Sequence, residues 1–119
     1  MSKKETTREE ARQILKNGIL DMSVERLIQM SELGLIGNIA LSNEVTFINN
    51  LFNHINYDEE SNVITFSVGE AQGNYGAISF SVGAITDISG CENAENPDEW
   101  LNINIKLKND TDVLIKVLY

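Results

Sequence analysis

The sequence contains a single cysteine, a single histidine and a single proline among its 119 residues. One cysteine excludes a disulfide bond within the chain, and cysteine and histidine are too few for a zinc site built from several such ligands. The most apolar stretch, residues 34–41, is interrupted by Gly37 and Asn38 and is too short to span a bilayer. The residues after Lys3 and Lys4 are polar and provide no apolar core for a signal peptide. We therefore expect one domain in a reducing cytoplasm, without a metal or another cofactor.

Basic residues are scarce and unevenly placed. The chain has 9 Lys and Arg against 18 Asp and Glu, a net charge of -9, and no basic residue lies between Arg26 and Lys106. Direct binding to nucleic acid or to an anionic membrane needs a basic face, so this balance argues against both. A long stretch whose charged residues are all acidic presents a negative field, which favours a basic protein as the partner.

The first half of the sequence indicates helices. Thr7 and Glu10 match a capping box, and a short apolar stripe follows over residues 11–15. Ser23 is a suitable N-cap for a second helix, and Gly34 is suited to end it. After Ser42, apolar residues at spacings of three and four predict a third helix, and they are Val45, Ile48, Leu51, Phe52 and Ile55.

The second half of the sequence indicates strands. Alternating apolar and polar residues predict four antiparallel strands, with a bend in the second, at residues 63–68, 78–88, 101–108 and 113–119. The predicted fold class is therefore α+β, with an N-terminal helical half of about three short helices packed on a four-stranded antiparallel β-meander. In this single domain of residues 1–119, residues 1–56 are expected to be mainly helical and residues 57–119 mainly β.

The last predicted strand is apolar on both faces, because Leu114 and Leu118 alternate with Val113, Ile115 and Val117. A strand of this kind is usually covered on both faces. Either it lies at the centre of the sheet, or Leu114 and Leu118 leave an apolar surface for a second subunit. The sequence leaves both alternatives open. In the second alternative, the chain forms a homodimer with these two leucines at its interface.

Acidic clusters and two aromatic residues are the candidates for binding a partner. Carboxylates attract a basic surface, and Trp and Tyr are frequent anchors of protein interfaces, although a Trp at the start of a strand is also typical of the edge of a core. The predicted partner-binding residues are Asp58, Glu59, Glu60, Glu70, Tyr75, Glu92, Glu95, Asp98, Glu99 and Trp100.

The histidine, the cysteine, the glycine-rich segment and the acidic clusters all occur without the neighbouring residues that a catalytic or ligand-binding site needs. His54 lies at the end of the predicted third helix, where a cation is favourable for structural reasons alone. Cys91 is followed by acidic residues, which disfavour its thiolate. The glycine-rich residues 69–76 contain Glu70 and no lysine, unlike a phosphate loop, and no acidic cluster has calcium-loop spacing. We therefore predict no enzyme activity and no metal site.

These observations favour a small acidic, non-enzymatic interaction protein. An inhibitor, an immunity protein or a phage-encoded anti-defence protein would engage a basic surface of a partner that handles nucleic acid. Asn and Ile each occur 14 times, and their AT-rich codons are typical of many bacterial and phage genes. Two alternatives remain: an accessory subunit that acts as a homo-oligomer, and a domain that binds a small ligand.

Overall fold

A computed structural model describes residues 8–68 and 77–118 of the chain. These residues form two short helices, two 3-10 turns and eight strands. In chain order they are α1 (Arg8–Leu20), α2 (Val24–Gln29), a first 3-10 turn (Met30–Glu32), β1 (Ile36–Ser42), β2 (Phe47–Phe52), β3 (His54–Asp58), β4 (Val63–Ser67), β5 (Ala77–Ser81), a second 3-10 turn (Val82–Ala84), β6 (Ile85–Glu92), β7 (Trp100–Leu107) and β8 (Asp112–Leu118). None of the helices in these residues has the length and apolar character that crossing a membrane requires.

The strands form two antiparallel sheets. The five-stranded sheet has the order β2-β1-β8-β7-β6, and the three-stranded sheet has the order β3-β4-β5. The last strand, β8, therefore lies at the centre of the larger sheet, with β1 on one side and β7 on the other. The central position accounts for the apolar residues on the inner face of β8.

The predicted α+β arrangement of three helices on a four-stranded meander is wrong, because the structure is mostly β. Residues 47–58, which include most of the predicted third helix, form β2 and β3. The helix-like spacing of Ile48, Phe52 and Ile55 arises because two strands meet at a bend. Ile48 and Phe52 point inward from β2, the bend at Asn53 shifts the alternation by one residue, and Ile55 points inward from β3.

The predicted four-stranded meander is divided between the two sheets. β4 and β5 belong to the smaller sheet, whereas β6, β7 and β8 belong to the larger one. Residues 78–88, predicted to be one bent strand, form parts of β5 and β6. A bulge would have kept both segments in one strand. The turn Val82–Ala84 instead changes the direction of the chain, so that β5 pairs with β4 and β6 pairs with β7.

Two bends carry the chain from one sheet to the other. At the first bend, the N–H of Asn53 donates a hydrogen bond to the carbonyl of Ser67 at 2.9 Å. At the second, the N–H of Val82 donates to the carbonyl of Asn62 at 2.9 Å. Strands that switch sheets in this way form the corners of packed sheets. Both sheets therefore enclose one apolar core.

The core lies against the inner face of the five-stranded sheet. Ile39 of β1, Ile115 of β8 and Ile103 of β7 follow one another across this face and are fully buried. Phe66 from the smaller sheet lies between Phe52 and Phe80, at ring-centroid distances of 5.1 and 6.0 Å. The two helices and the first 3-10 turn contribute buried residues to the same core, namely Ile19, Leu27 and Met30. Helices and smaller sheet thus cover the same face of the larger sheet.

α1 lies very close to β6, and a glycine makes this approach feasible. Gly90 of β6 is directly opposite Ile103 of β7, on the inner face. A Cβ atom at Gly90 would overlap the carbonyl oxygen of Ile19 near the end of α1. Because Ile19 is itself buried, the helix has little room to move away without opening the core.

The variant Gly90→Ala is expected to lower the free energy of unfolding by about 2 kcal/mol or more, because the backbone of α1 must shift to admit the methyl group. The matched control is Gly34→Ala, whose Cβ would meet no atom within 4 Å. The control is expected to change stability by no more than about 0.5 kcal/mol. Urea unfolding of both variants measures the difference, and equal stabilities would contradict the close packing of α1 on β6.

Candidate functional site

The outer face of the five-stranded sheet is left uncovered by the elements formed from residues 8–68 and 77–118. Residues opposite each other in an antiparallel pair share a face, so the register shows which side chains point outward. Ile36 and Leu51 of the first hairpin and Leu118 of β8 lie on this face, and their exposed fractions are 55, 67 and 42%. Single exposed apolar side chains are common in proteins, but several on one face typically mark a contact surface.

One end of this face carries a continuous line of apolar side chains, which we call the apolar row: Ile36, Leu118 and Trp100. Ile36 of β1 is opposite Leu118 of β8, which is opposite Trp100 of β7. Trp100 is half-buried, so its ring is held by the sheet while part of it remains accessible. Leu114 lies on the same face of β8, opposite Ala40, and is half-buried as well. The assignment of Leu114 and Leu118 to a subunit interface stays a prediction.

The loop between β6 and β7 places acidic side chains beside the apolar row, and Asn93 organises this loop. The side-chain oxygen of Asn93 accepts hydrogen bonds from the N–H groups of Glu95 and Asn96, at 2.9 and 3.0 Å. Its amide nitrogen donates to the side-chain oxygen of Asn102 at 3.1 Å. Asn93 is only 9% exposed, which is rare for a polar side chain outside such a network. Sequence reasoning missed this residue, although an Asn in a polar turn segment is a known turn signal.

Three carboxylates of this loop are exposed, and we call them the acidic rim: Glu95, Asp98 and Glu99. Trp100 follows Glu99 directly, so the rim adjoins the apolar row. Four of the predicted partner-binding residues, namely the acidic rim and Trp100, are neighbours along the chain, and strand pairing places Leu118 and Ile36 in line with Trp100. Ile36 was not predicted as a site residue, because its position beside Leu118 depends on pairing between strands far apart in the sequence.

α1 holds the same loop from the other side. The Arg12 guanidinium donates a hydrogen bond to the carbonyl of Asp98 at 2.7 Å. Lys16 forms an ion pair with Glu92, with an Nζ to Oε1 distance of 2.8 Å. Glu92, a predicted partner-binding residue, forms this ion pair and remains partly exposed, so its role in binding a partner stays a prediction. Basic residues of α1 thus lie on that side of the loop, whereas the carboxylates of the acidic rim form no ion pair with other described residues.

The other predicted acidic cluster lies elsewhere. Asp58, Glu59 and Glu60 form the turn between β3 and β4, which contacts the second bend through the bond from Val82 to Asn62. This bend precedes β6 and the acidic rim follows it. The two clusters therefore lie toward opposite ends of this eight-residue strand, which is about 23 Å long.

Asp58 also has a structural role in its turn. Its carboxylate accepts hydrogen bonds from the N–H of Glu60 and from the hydroxyl of Ser61, at 3.1 and 2.8 Å.

Because β6 lies between them, the two clusters do not form one acidic face. The predicted binding residues Glu70 and Tyr75 lie outside the described residues.

The residues with catalytic potential are far apart in the topology. His54 is exposed at the start of β3 in the smaller sheet. Cys91 is exposed on β6 of the larger sheet and points to the outer face, away from the smaller sheet. The side-chain amide of Asn104 lies 3.5 Å from the Cys91 sulfur. In residues 8–68 and 77–118, no three or more His, Cys, Asp and Glu side chains are grouped as a metal site would need.

A concave region lies between α1, α2 and the first 3-10 turn. It is an open groove of about 830 Å³ whose lining is mainly apolar. Leu15, Met22 and Leu35 form part of its wall, while Arg26 and Glu32 also line it. The charged or polar side chains on its wall are Arg26, Gln29 and Glu32.

No protein family, no curated protein sequence and no solved structure matches this chain.

The pair of Lys16 and Glu92 is expected to stabilise the position of α1 by about 0.5 kcal/mol, because it is short but partly exposed to solvent. A double-mutant cycle with Lys16→Met and Glu92→Gln measures this coupling by urea unfolding. The control pair is Arg26 and Asp21, which is longer, at 3.3 Å, and more exposed. Its coupling is expected to be close to zero. A coupling for Lys16 and Glu92 no larger than the control value would contradict a role of this pair in holding α1.

Proposed function

We propose that this chain is a non-enzymatic interaction protein that binds a basic protein surface with its acidic rim and apolar row. The observation that carries the proposal is that exposed carboxylates and an uncovered apolar line adjoin each other at Trp100. Interfaces of this composition have an apolar centre, which supplies affinity, and a polar border, which provides orientation and specificity.

Trp100 is the proposed anchor of this interface. Indole rings are enriched among the residues that contribute most to binding, especially where neighbouring contacts exclude water. Leu118 lies next to it on one side and the acidic rim on the other. The rim accelerates encounter with a positively charged surface and disfavours acidic competitors.

The proposed partner is a protein whose basic surface handles nucleic acid. Such surfaces neutralise phosphates with Lys and Arg, and an acidic protein of this size is suited to cover them. The proposal therefore includes action as an inhibitor, an immunity protein or a phage-encoded anti-defence protein. His54 and Cys91 lie on different sheets and do not form a pair of nucleophile and base, which needs hydrogen-bonding reach.

The test is affinity capture from a bacterial lysate with the wild-type chain and two doubly substituted variants. Glu95→Lys with Glu99→Lys alters the acidic rim, and Glu59→Lys with Glu60→Lys alters the distant turn. No ion pair of these four side chains with other described residues occurs, and each double substitution changes the net charge from -9 to -5. The two variants therefore differ in where charge is removed, not in how much. Bound proteins are identified by mass spectrometry at low and at high salt.

We expect the wild type and the Glu59/Glu60 variant to retain the same basic protein at low salt and to release it at high salt, because salt screens exposed charges. The Glu95/Glu99 variant is expected to lose it at either salt concentration. Equal retention by both variants would contradict a site at the acidic rim. Absence of any basic protein bound by the wild type would contradict the proposed function as a whole.

A further inference from the structure

The free edge of β2 is unusual for a natural edge strand. Within residues 8–68 and 77–118, β2 pairs with β1 and with no other strand. Proteins normally protect such edges with a charged residue, a proline or a covering element, because unpaired backbone groups recruit another strand. At the opposite edge of this sheet, β6 carries two charged residues, Asp87 and Glu92. Phe47–Phe52 contains neither a charged residue nor a proline.

The hydrogen-bond pattern shows which residues present their backbone to the free edge. At the turn between β1 and β2, the N–H of Asn43 donates to the carbonyl of Thr46 at 2.9 Å. Hydrogen-bonded pairs alternate with non-hydrogen-bonded pairs along an antiparallel ladder. With the regular register of this hairpin, the N–H and C=O groups of Phe47, Asn49 and Leu51 therefore point away from β1.

This edge is complementary to itself. When two antiparallel copies are centred on Asn49, that residue is opposite the partner's Asn49, and Phe47 is opposite the partner's Leu51. All three residues on each copy then use their outward backbone groups, which gives about six hydrogen bonds. The Phe47 and Leu51 side chains lie on the same outer face and are 68 and 67% exposed, so each aromatic ring gains an apolar neighbour.

The charge distribution favours the same surface for self-association. Two copies with a net charge of -9 repel each other, so an uncharged surface opposes their association least. Residues 45–57 contain no Asp, Glu, Lys or Arg. Val45, at the tip of the same hairpin, is 92% exposed and adds apolar surface beside the strand.

We propose that two copies of this chain form a symmetric dimer by antiparallel pairing of β2 with β2, with Asn49 on the two-fold axis. The pairing joins the two five-stranded sheets into one continuous sheet of ten strands. An interface made mainly by one edge strand is smaller than the roughly 1,200 Å² of most stable dimers, so its dissociation constant is of micromolar order. This proposal does not depend on the proposed function, whose anchor Trp100 lies on β7, three strands away from β2.

The first test compares Asn49→Lys with Asn104→Lys by sedimentation velocity over a range of micromolar concentrations. Both asparagines are exposed on the outer face of the same sheet, but Asn104 lies on β7, away from the edge. Asn49→Lys places two like charges opposite each other and is expected to weaken dimerisation about fivefold, whereas Asn104→Lys leaves it unchanged. A wild-type chain that is monomeric at about 200 μM, or equal effects of the two substitutions, would overturn the proposal.

The second test uses disulfide formation and does not depend on the size of the first effect. In a Cys91→Ser background, Asn49→Cys is expected to form a covalent dimer on mild oxidation, because directly opposed Cα atoms lie about 5.5 Å apart. Asn104→Cys in the same background is the control and should remain monomeric under the same conditions. If only the control cross-links, or if neither variant does, the proposed register is wrong. The register is also wrong if Leu118→Asp disrupts the dimer and Asn49→Lys does not.

Salt distinguishes this proposal from the proposed function. Screening reduces the repulsion between two acidic copies, so dimerisation is expected to strengthen at high salt, whereas binding to a basic partner weakens. Dimerisation that weakens with salt would contradict an uncharged interface. The two proposals can fail separately. If the lysate capture finds no basic partner, the proposed dimer still stands, and if the wild type is monomeric, the proposed function still stands.

Discussion

Antiparallel pairing of β1 with β8 is the interaction on which the rest of the structure depends. It joins the first and the last strand of the described chain, from Ile36 opposite Leu118 to Ser42 opposite Asp112. Without it, the hairpin of β1 and β2 would be separate from the meander of β6, β7 and β8, and a two-stranded hairpin alone is marginally stable. The pairing completes a five-stranded inner face that is wide enough to receive both the helices and the smaller sheet.

The same pairing produces the surface features with functional interest. On the inner side it places Ile39 against Ile115, and on the outer side it brings Ile36 beside Leu118 and thus into line with Trp100. It also leaves β2 as the outermost strand of its sheet. The binding surface and the free edge are therefore two consequences of one strand order, and they lie at different places on one face.

The negative charge inferred from the sequence is distributed differently in the folded chain. The absence of Lys and Arg between Arg26 and Lys106 predicted a negative field over this part of the chain. The fold separates the acidic residues into two clusters at opposite ends of β6 and brings Lys16 of α1 to Glu92. The sequence determines the net charge of a protein, but strand pairing determines where the charged side chains lie on its surface.

The sequence by itself determined the features that depend on neighbours along the chain. Ser23 caps α2 by accepting a hydrogen bond from Arg26, and the alternation over residues 101–107 forms β7, because both are set by local geometry. Exposed carboxylates were also recognisable, although Asn93, which shapes their loop, was not. Only the tertiary structure decided that residues 47–58 form two strands in different sheets rather than a helix. Local spacing is compatible with either outcome, and the choice is made by hydrogen bonds to β1 and β4, whose positions the local sequence does not specify.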